Sequence, residues 1–363
     1  MTDRARLRPA TDRPVEEQLG TLDPELAAAI AGMPAEATPG LGDIGAMREF
    51  IAGSLAFAPE PEDGDRVERR DLTVPGPDGA PDVAVRVYRP LDVPGGAWPA
   101  ALLWCHGGGF VFGDLAVADQ RCAELCDRLG AVVVSVDYRL APEHPFPAGV
   151  EDVYAATRWL AGPGELEIDL DRVAVGGSSA GATLAAAVTL LSRDRGGPRL
   201  ALQVLVQPAI DDRCETPSSQ RVVDPRVFHR EVQREMWDHY LGPAGTRGPV
   251  SAYAAPARAE DLSGLPPAVI TTAEHDPLGD EGRDYAARLR ASGVDVELID
   301  TPGTFHGFEE LAPDAAVSRR MTAGLVAAVR RGLGAGGSDD APRHGRRRSV
   351  TGGVGPHDAG APE

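Results

Sequence analysis

One serine in the sequence has neighbours that could make it a nucleophile: Ser179, within RVAVGGSSAGATL at residues 172–184. A short apolar run precedes it and an apolar helical pattern follows it. A strand that enters a helix through G-x-S-x-G makes a tight turn that exposes the serine hydroxyl. Ser179 lies between Gly177 and Gly181, whereas the adjacent Ser178 would need a glycine where an alanine stands. The pattern therefore predicts Ser179 as the nucleophile; an ordinary glycine-rich turn is the alternative on this short motif alone.

A serine hydroxyl is a weak nucleophile, so it needs a base to accept its proton and a carboxylate to orient that base. Of the eight histidines, His306 is the best placed, in TPGTFHGF directly after the last predicted strand. The others lie among prolines, in predicted cap or tail segments, in the glycine loop or beside the candidate acid. The chain order serine, acid, histidine also favours His306.

The candidate acid lies in AVITTAEHDPLGDEG, which follows the preceding strand. Asp276 stands at the end of that strand, before a proline that restricts the turn, and is the best candidate. Glu274, Asp280 and Glu281 are the alternatives, because spacing alone does not separate these carboxylates. Asp280 and Glu281 are also well placed to begin the following helix, where acidic residues are favourable.

A glycine loop upstream could stabilise the negative oxygen that forms when a serine attacks a carbonyl. The stretch His106-Gly107-Gly108-Gly109-Phe110 follows a predicted buried strand. Backbone N–H groups serve this purpose best, and we expect them from Gly108, Gly109 and Ala180. A flexible turn is the alternative. A phosphate cradle is disfavoured because no G-K-[ST] follows the glycines and the net charge is -19.

The elements around these motifs alternate between strands and helices. Most of the predicted strands are continuous apolar runs, typical of strands covered on both faces, and the first two could form an antiparallel hairpin around residues 76–79. Strands are predicted at 66–74, 83–88, 100–105, 131–137, 172–175, 201–206, 268–272 and 294–299, and helices at 116–129, 150–160, 182–192, 282–291 and 315–333. This alternation predicts an α/β fold with a mostly parallel sheet between helices.

Two segments fall outside this alternation of strands and helices, and we predict that they form a helical cap over the carboxyl edge of the sheet. One is the N-terminal region, and the other is a long insertion with a predicted helix at 227–241. Phe228, Trp237 and Tyr240 of the insertion, with Phe110, are predicted to line a substrate pocket; helix–core packing is the alternative for each. The predicted division is a disordered 1–13, cap helices in 14–60, a catalytic domain in 66–210 and 250–333, a cap insertion in 211–249, and a disordered tail in 334–363.

Composition excludes several other classes of function. With 363 residues and 42% hydrophobic content the chain can build a large core, and its net charge of -19 disfavours a nucleic-acid partner. Its four cysteines are too scattered for a disulfide framework, and they predict neither a metal site nor a cofactor. The N-terminus lacks the apolar core of a signal peptide and no apolar run is long enough to span a bilayer, so a cytoplasmic protein without stable membrane insertion is expected.

Taken together, HGGGF, YRLAPEHPFPA, G-x-S-A-G, DPLGDEG and HGF, in this order, closely resemble the hormone-sensitive-lipase-like bacterial carboxylesterases of the α/β-hydrolase superfamily. The resemblance runs from about residue 83 to 333. It implies an eight-stranded hydrolase sheet with a helical cap, the triad Ser179, Asp276 and His306, and a glycine loop oriented by His106. In that family the elbow usually reads G-D-S-A-G, so Ser178 replaces an aspartate.

The leading interpretation is a serine hydrolase that cleaves carboxylic esters of short-to-medium acyl chains through an acyl-enzyme, with a small-molecule ester as its partner. One alternative keeps the fold but makes it an acyltransferase, cyclase or dehydratase. Another is a non-catalytic ligand receptor, which His306 disfavours because receptors resembling this family lose that histidine. A homodimer is compatible with the sequence, which does not determine the oligomeric state.

Overall fold

Eight strands form one sheet in the part of the chain that the computed structural model describes, residues 21–33, 40–55, 66–92, 98–164, 166–243 and 246–334. The spatial order is β1-β2-β4-β3-β5-β6-β7-β8. β2 is antiparallel to both β1 and β4, and all other neighbours are parallel. The strands are β1 Val67–Val74, β2 Val83–Pro90, β3 Ala101–Cys105, β4 Val132–Asp137, β5 Val173–Ser178, β6 Leu202–Val206, β7 Ala268–His275 and β8 Val296–Phe305. The predicted α/β architecture and the predicted β1–β2 hairpin are confirmed.

Helices cover both faces of the sheet, which explains the continuous apolar runs of the central strands. The helices are α1 Pro24–Ala31, α2 Ile44–Leu55, α3 Asp119–Leu129, α4 Ala148–Leu160, α5 Ala180–Asp194, α6 Pro217–Arg221, α7 Arg230–Leu241, α8 Gly279–Ala291, α9 Phe308–Leu311 and α10 Ala316–Gly332. α4, α5 and α8 pack on one face of the sheet, and α1, α3 and α10 pack on the other. Among the described residues, no helix has the length and apolar character needed to cross a membrane.

The N-terminal segment and the insertion after β6 are fastened to each other above the sheet. The backbone of Leu41, just before α2, is held by α7 on both sides: its N–H donates to Glu235 Oε2 at 2.9 Å, and His239 Nε2 donates to its carbonyl oxygen at 2.8 Å. Arg48 of α2 pairs with Glu143 at 2.7 Å. The two segments thus share one interface, while the domain boundaries drawn from the sequence remain predictions.

Several element bounds differ from the predicted ones. β8 extends to Phe305 instead of ending at residue 299, although Pro302 and Gly303 lie within it. It is an edge strand, where a proline need not donate to a neighbour. α7 begins at Arg230, because His229 is extended, with φ -138° and ψ 175°. The short helices α6 and α9 were not predicted, and the predictions for residues 1–13 and 335–363 lie outside the described residues.

Candidate active site

Ser179 stands in a strained turn between β5 and α5, with φ 54° and ψ -120°. Such a conformation is costly for a residue with a side chain and is typical of functional sites. The turn is possible because its flanking residues lack Cβ atoms. A Cβ on Gly177 would lie 2.5 Å from the carbonyl oxygen of Cys105, and a Cβ on Gly181 would lie 2.2 Å from the same oxygen. Both glycines of the motif are therefore required by the close approach of β3.

The carboxyl ends of three strands bring Ser179, His306 and Asp276 together. His306 Nε2 lies 3.0 Å from Ser179 Oγ, and His306 Nδ1 lies 2.7 Å from Asp276 Oδ2. The Asp276 side chain is fully buried, and its Oδ1 accepts a hydrogen bond from the N–H of Leu278 at 2.8 Å. Since a carboxylate accepts from Nδ1–H, Nε2 of a neutral His306 is free to accept the serine proton. The arrangement can perform general-base activation of a hydroxyl.

Burial and charge act in opposite directions on the His306 imidazole. Burial lowers its pKa, and this is the largest single influence. The charge of Asp276 and its hydrogen bond raise the pKa, with Glu309 and Glu310 adding to the effect, so that the net pKa lies above its usual value. The site therefore favours the imidazolium that forms when a proton leaves Ser179.

The other acidic candidates are bound elsewhere. Asp280 accepts from the N–H of Ser218 at 2.7 Å and from Arg283 at 2.9 Å, and Glu281 accepts from the N–H of Ile210 at 2.8 Å. Both lie in the first turn of α8. Glu274 Oε2 accepts from the N–H of Gly303. None of these carboxylates contacts His306.

The glycine loop lies close enough to Ser179 for its N–H groups to donate to the oxygen of a carbonyl that Ser179 attacks. A Cβ on Gly107 would lie 3.6 Å from Ser179 Cβ. Gly108 has φ 117°, and a Cβ there would lie 2.1 Å from the carbonyl oxygen of Phe112. Within the described ranges, the N–H groups of Gly108 and Gly109 have no acceptor in the protein. The N–H of Ala180 lies in the first turn of α5, where helix N–H groups lack intrahelical partners.

His106 holds this loop from below. Its ring stacks on Tyr138 with centroids 4.2 Å apart, and its Nδ1 lies 2.7 Å from the carbonyl oxygen of Gly107. Burial lowers the pKa of His106 to about 4, so the ring is neutral and Nδ1–H donates to that oxygen. Ser178 lines the cavity beside the loop, and its hydroxyl makes no hydrogen bond within the described part of the chain.

A cavity of about 380 Å³ opens beside Ser179 and His306. Its wall is mainly apolar, and Phe228 is part of it, with its ring centroid 4.6 Å from that of His306. The wall also contains residues that the sequence analysis did not single out, several of them on or near α2: Leu41, Met47, Ile51, Phe112, Val232, Gln207, Arg121 and Glu309. Met47 and Ile51 are four residues apart, so they share one face of α2, and this spacing is a sequence signal for that part of the wall.

Three of the four predicted substrate contacts are corrected by the structure. Phe110, Trp237 and Tyr240 are each at most 2% exposed and are absent from the cavity wall. The rings of Phe110 and Tyr240 stack with centroids 3.9 Å apart, and Phe110 lies 5.5 Å from Trp237. They form an aromatic cluster that joins α7 to the glycine loop. Burying large rings against one another removes more apolar surface from water than lining an open cavity would.

All four cysteines are buried, and none of them forms a disulfide bond. Burial raises the pKa of the Cys105 and Cys122 thiols, and it raises that of Cys214 to about 12. These thiols are therefore protonated at neutral pH and behave as small apolar groups. In the part of the chain that is described, no group of His, Cys, Asp or Glu is arranged to hold a metal ion.

Comparison with known proteins places this geometry in context. Residues 102–310 match the pattern of the family described as alpha/beta hydrolase fold. Esterase LipI of Mycobacterium tuberculosis is 41% identical over 259 residues, covering 71% of this chain and 80% of LipI. Carboxylesterase NlhH of the same species is 40% identical over 279 residues, covering 74% and 83%. A solved bacterial heroin esterase is 44% identical with a TM-score of 0.80, covering 87% of this chain and 99% of that one. The matched span contains Ser179, Asp276 and His306.

Proposed function

Because this chain belongs to the hormone-sensitive-lipase-like esterases of the α/β-hydrolase fold and is a carboxylic-ester hydrolase, we propose that it works through a Ser179–His306–Asp276 triad and an acyl-enzyme. The observation that carries the proposal is the unbroken hydrogen-bonded chain from Asp276 through His306 to Ser179. A base that is oriented on one side and bonded to a hydroxyl on the other is the arrangement that activates a serine.

In the first half of the reaction, Ser179 Oγ attacks the ester carbonyl carbon while His306 Nε2 takes its proton. The carbonyl π electrons move to the oxygen, and a tetrahedral intermediate forms. When the intermediate collapses, the bond to the alcohol oxygen breaks and His306 returns the proton to that oxygen. The alcohol leaves, and the acyl group remains on Ser179. Asp276 stays ionised and stabilises the imidazolium during these steps.

The negative oxygen of the intermediate needs donors that are already in position. We assign this role to the N–H groups of Gly108, Gly109 and Ala180, since the first two have no acceptor within the described residues and the third belongs to a helix N-terminus. Donors arranged in advance do not have to reorient as charge develops, and removing one such donor typically costs about 10²–10³-fold in kcat.

In the second half, water attacks the acyl carbonyl, and His306 again accepts a proton and then returns it to Ser179 Oγ. The carboxylic acid leaves and the free enzyme is restored. The cavity of about 380 Å³ lies near the lower end of the range for ligand sites, and its wall is mostly apolar. The volume favours short-to-medium acyl chains over long ones, and the apolar wall favours an aliphatic acyl group over a polar one.

The test combines a covalent probe with a series of p-nitrophenyl esters of increasing acyl length. We expect a fluorophosphonate to label Ser179, with no labelling of Ser179→Ala, and turnover to peak at short-to-medium chains. Failure to label Ser179 would remove the proposed nucleophile. Labelling without ester turnover would instead indicate transfer of the acyl group to another acceptor or a different reaction of the same serine.

A further inference from the structure

Gln207, in the wall of the cavity beside the proposed catalytic centre, has an unfavourable backbone conformation. It follows β6 with φ 46°, in the left-handed region, and it precedes Pro208. A residue before proline is normally extended, and the left-handed conformation is strained for a residue other than glycine. Such a conformation persists only where the surroundings hold it. Gln207 is held by its N–H, which donates to the carbonyl oxygen of Thr271 at 3.0 Å.

The Gln207 side chain connects the strand end to the loop that carries His306. Its Oε1 accepts a hydrogen bond from the N–H of Gly307 at 2.7 Å, and its Nε2 donates to Glu309 Oε2 at 2.9 Å. Gly307 is the residue directly after His306. The bond to Gly307 fixes the amide orientation, because a backbone N–H can only donate and therefore faces Oε1. Gln207 is 3% exposed, so both bonds are shielded from water.

The connection continues from Glu309 to α3. Glu309 is 6% exposed, and its Oε1 lies 3.3 Å from a terminal nitrogen of Arg121, whose side chain is 12% exposed. The charge on Glu309 is thus balanced, and each oxygen of its carboxylate has a donor. A fully satisfied buried network of this kind holds its members in one arrangement.

We propose that Gln207 is a positioning residue for the reaction, which sets the place of His306 by bracing the next peptide against Glu309 and Arg121. The proposal rests on the proposed role of His306 as the base. The His306 ring is held by Asp276 at Nδ1, but that bond leaves the ring free to shift with its own backbone. The Gln207–Gly307 bond fixes that backbone from the end of β6, which lies in the sheet between β7 and β5, the strand that leads into Ser179.

Gln207→Asn separates this role from a purely structural one. Asparagine adopts left-handed conformations more readily than glutamine, so it suits the backbone at least as well. Its side chain is one methylene shorter and cannot reach both Gly307 and Glu309. We expect kcat for p-nitrophenyl acetate to fall by about 10- to 100-fold, since a misplacement of about 1 Å can cost on the order of 100-fold. KM and the melting temperature should change little.

Gln207→Glu with and without Glu309→Gln provides a rescue. The single change sets two carboxylates against each other and should lower kcat at least as much as Gln207→Asn. In the double variant, the carboxylate at 207 accepts from Gly307 and from the new amide at 309, while that amide's oxygen accepts from Arg121. We expect the double variant to recover most of the kcat that Gln207→Glu loses.

The matched control is Gln203→Asn. Gln203 is a buried glutamine of β6, the strand that Gln207 follows, and it donates to the carbonyl oxygen of Pro266, far from the His306 loop. Its shortening should lower the melting temperature without lowering kcat of the folded enzyme. Wild-type kcat from Gln207→Asn, or a double variant no more active than Gln207→Glu, would overturn the proposal. If Gln207→Glu fails to fold, the kcat of Gln207→Asn alone decides whether Gln207 has the proposed positioning role.

The same assays separate this proposal from the underlying mechanism. A wild-type enzyme that hydrolyses the ester without labelling at Ser179 would contradict the triad itself. Normal labelling and normal triad variants, together with unaffected Gln207 variants, would contradict only the positioning role. The rate of fluorophosphonate labelling should follow kcat across the Gln207 series, because both depend on His306 meeting Ser179.

Discussion

Asp276→Asn is the most direct perturbation of the proposed triad, because it removes the charge that faces the His306 imidazole. Asp276 Oδ2 lies 2.7 Å from His306 Nδ1, and both groups are buried. Asparagine has nearly the same shape but no charge, and its NH₂ group or oxygen could face Nδ1. The imidazolium formed during attack would lose its counter-charge, and the neutral ring could carry its proton on the wrong nitrogen.

The size of the effect follows from the geometry. With charge centres roughly 4 Å apart, an ion pair at an effective dielectric constant of about 20 contributes about 4 kcal/mol. Losing this stabilisation at the transition state lowers kcat by about 10³-fold, because about 1.36 kcal/mol corresponds to a tenfold change in rate. The wrong tautomer adds to the loss, so we expect a decrease of about 10³- to 10⁴-fold.

The pH dependence of kcat/KM provides a second measure of the effect of Asp276→Asn. His306 acts as a base only when neutral, so kcat/KM falls as pH drops through its pKa, which the wild-type site holds above the usual value. Without the charge and hydrogen bond of Asp276, only Glu309 and Glu310 oppose the effect of burial, and the pKa of His306 falls. The acid limb of the pH–rate profile should therefore move to lower pH in the variant.

The assay is p-nitrophenyl acetate hydrolysis from acid to mildly alkaline pH, with Asp280→Asn as the matched control. Asp280 bonds to Ser218 and Arg283 and not to His306, so its loss should cost roughly 0.5–3 kcal/mol of stability but leave kcat within about twofold. A loss under about tenfold for Asp276→Asn, equivalent to less than about 1.4 kcal/mol, would refute the assignment of the acid. An acid limb of the pH–rate profile that does not move in Asp276→Asn would also refute this assignment.

Three further outcomes are expected. Ser179→Ala should abolish ester hydrolysis while Ser178→Ala retains much of it; the opposite result would move the nucleophile by one residue. Phe228→Ala should raise KM by roughly two- to tenfold, as expected for an aromatic contact of about 0.5–1.5 kcal/mol, whereas Trp237→Ala should instead lower stability by about 3–5 kcal/mol in denaturant unfolding. An unchanged KM in the first or an unchanged stability in the second would contradict this division. Gly181→Ala should cost more than about 3 kcal/mol, the upper end of ordinary overpacking, because its Cβ would lie 2.2 Å from a backbone oxygen; a normally folded variant would show that the elbow can open.

Sequence reasoning succeeded where local chemistry determines structure. The elbow requires glycines at 177 and 181, and any sequence that makes such a turn must show them. The strands were visible as apolar runs because they are covered on both faces. The order of the chemical groups along the chain follows from the order of strand ends in this fold, so the proximity of Ser179, Asp276 and His306 was predictable from the sequence.

It failed where long-range packing decides. Pro302 and Gly303 indicate a break locally, yet the pairing of β7 with β8 continues past them. An aromatic residue on a predicted cap helix has the same local signature whether it faces a cavity or a neighbouring ring, so Phe228 could not be distinguished from Trp237. Gln207 gave no signal, because its significance depends on Gly307, 100 residues away.

The contact of α7 with Leu41, just before α2, has a consequence for how substrate selectivity can change. The cavity roof is built from α2 and the start of α7, which fasten to each other and contribute no strand to the sheet. The elbow, by contrast, tolerates almost no added atom. Substrate selectivity can therefore change through substitutions in α2 and at the start of α7, while the reaction centre below them stays unchanged. Libraries aimed at new ester specificities should vary Met47, Ile51 and Phe228 and leave the β5–α5 turn untouched.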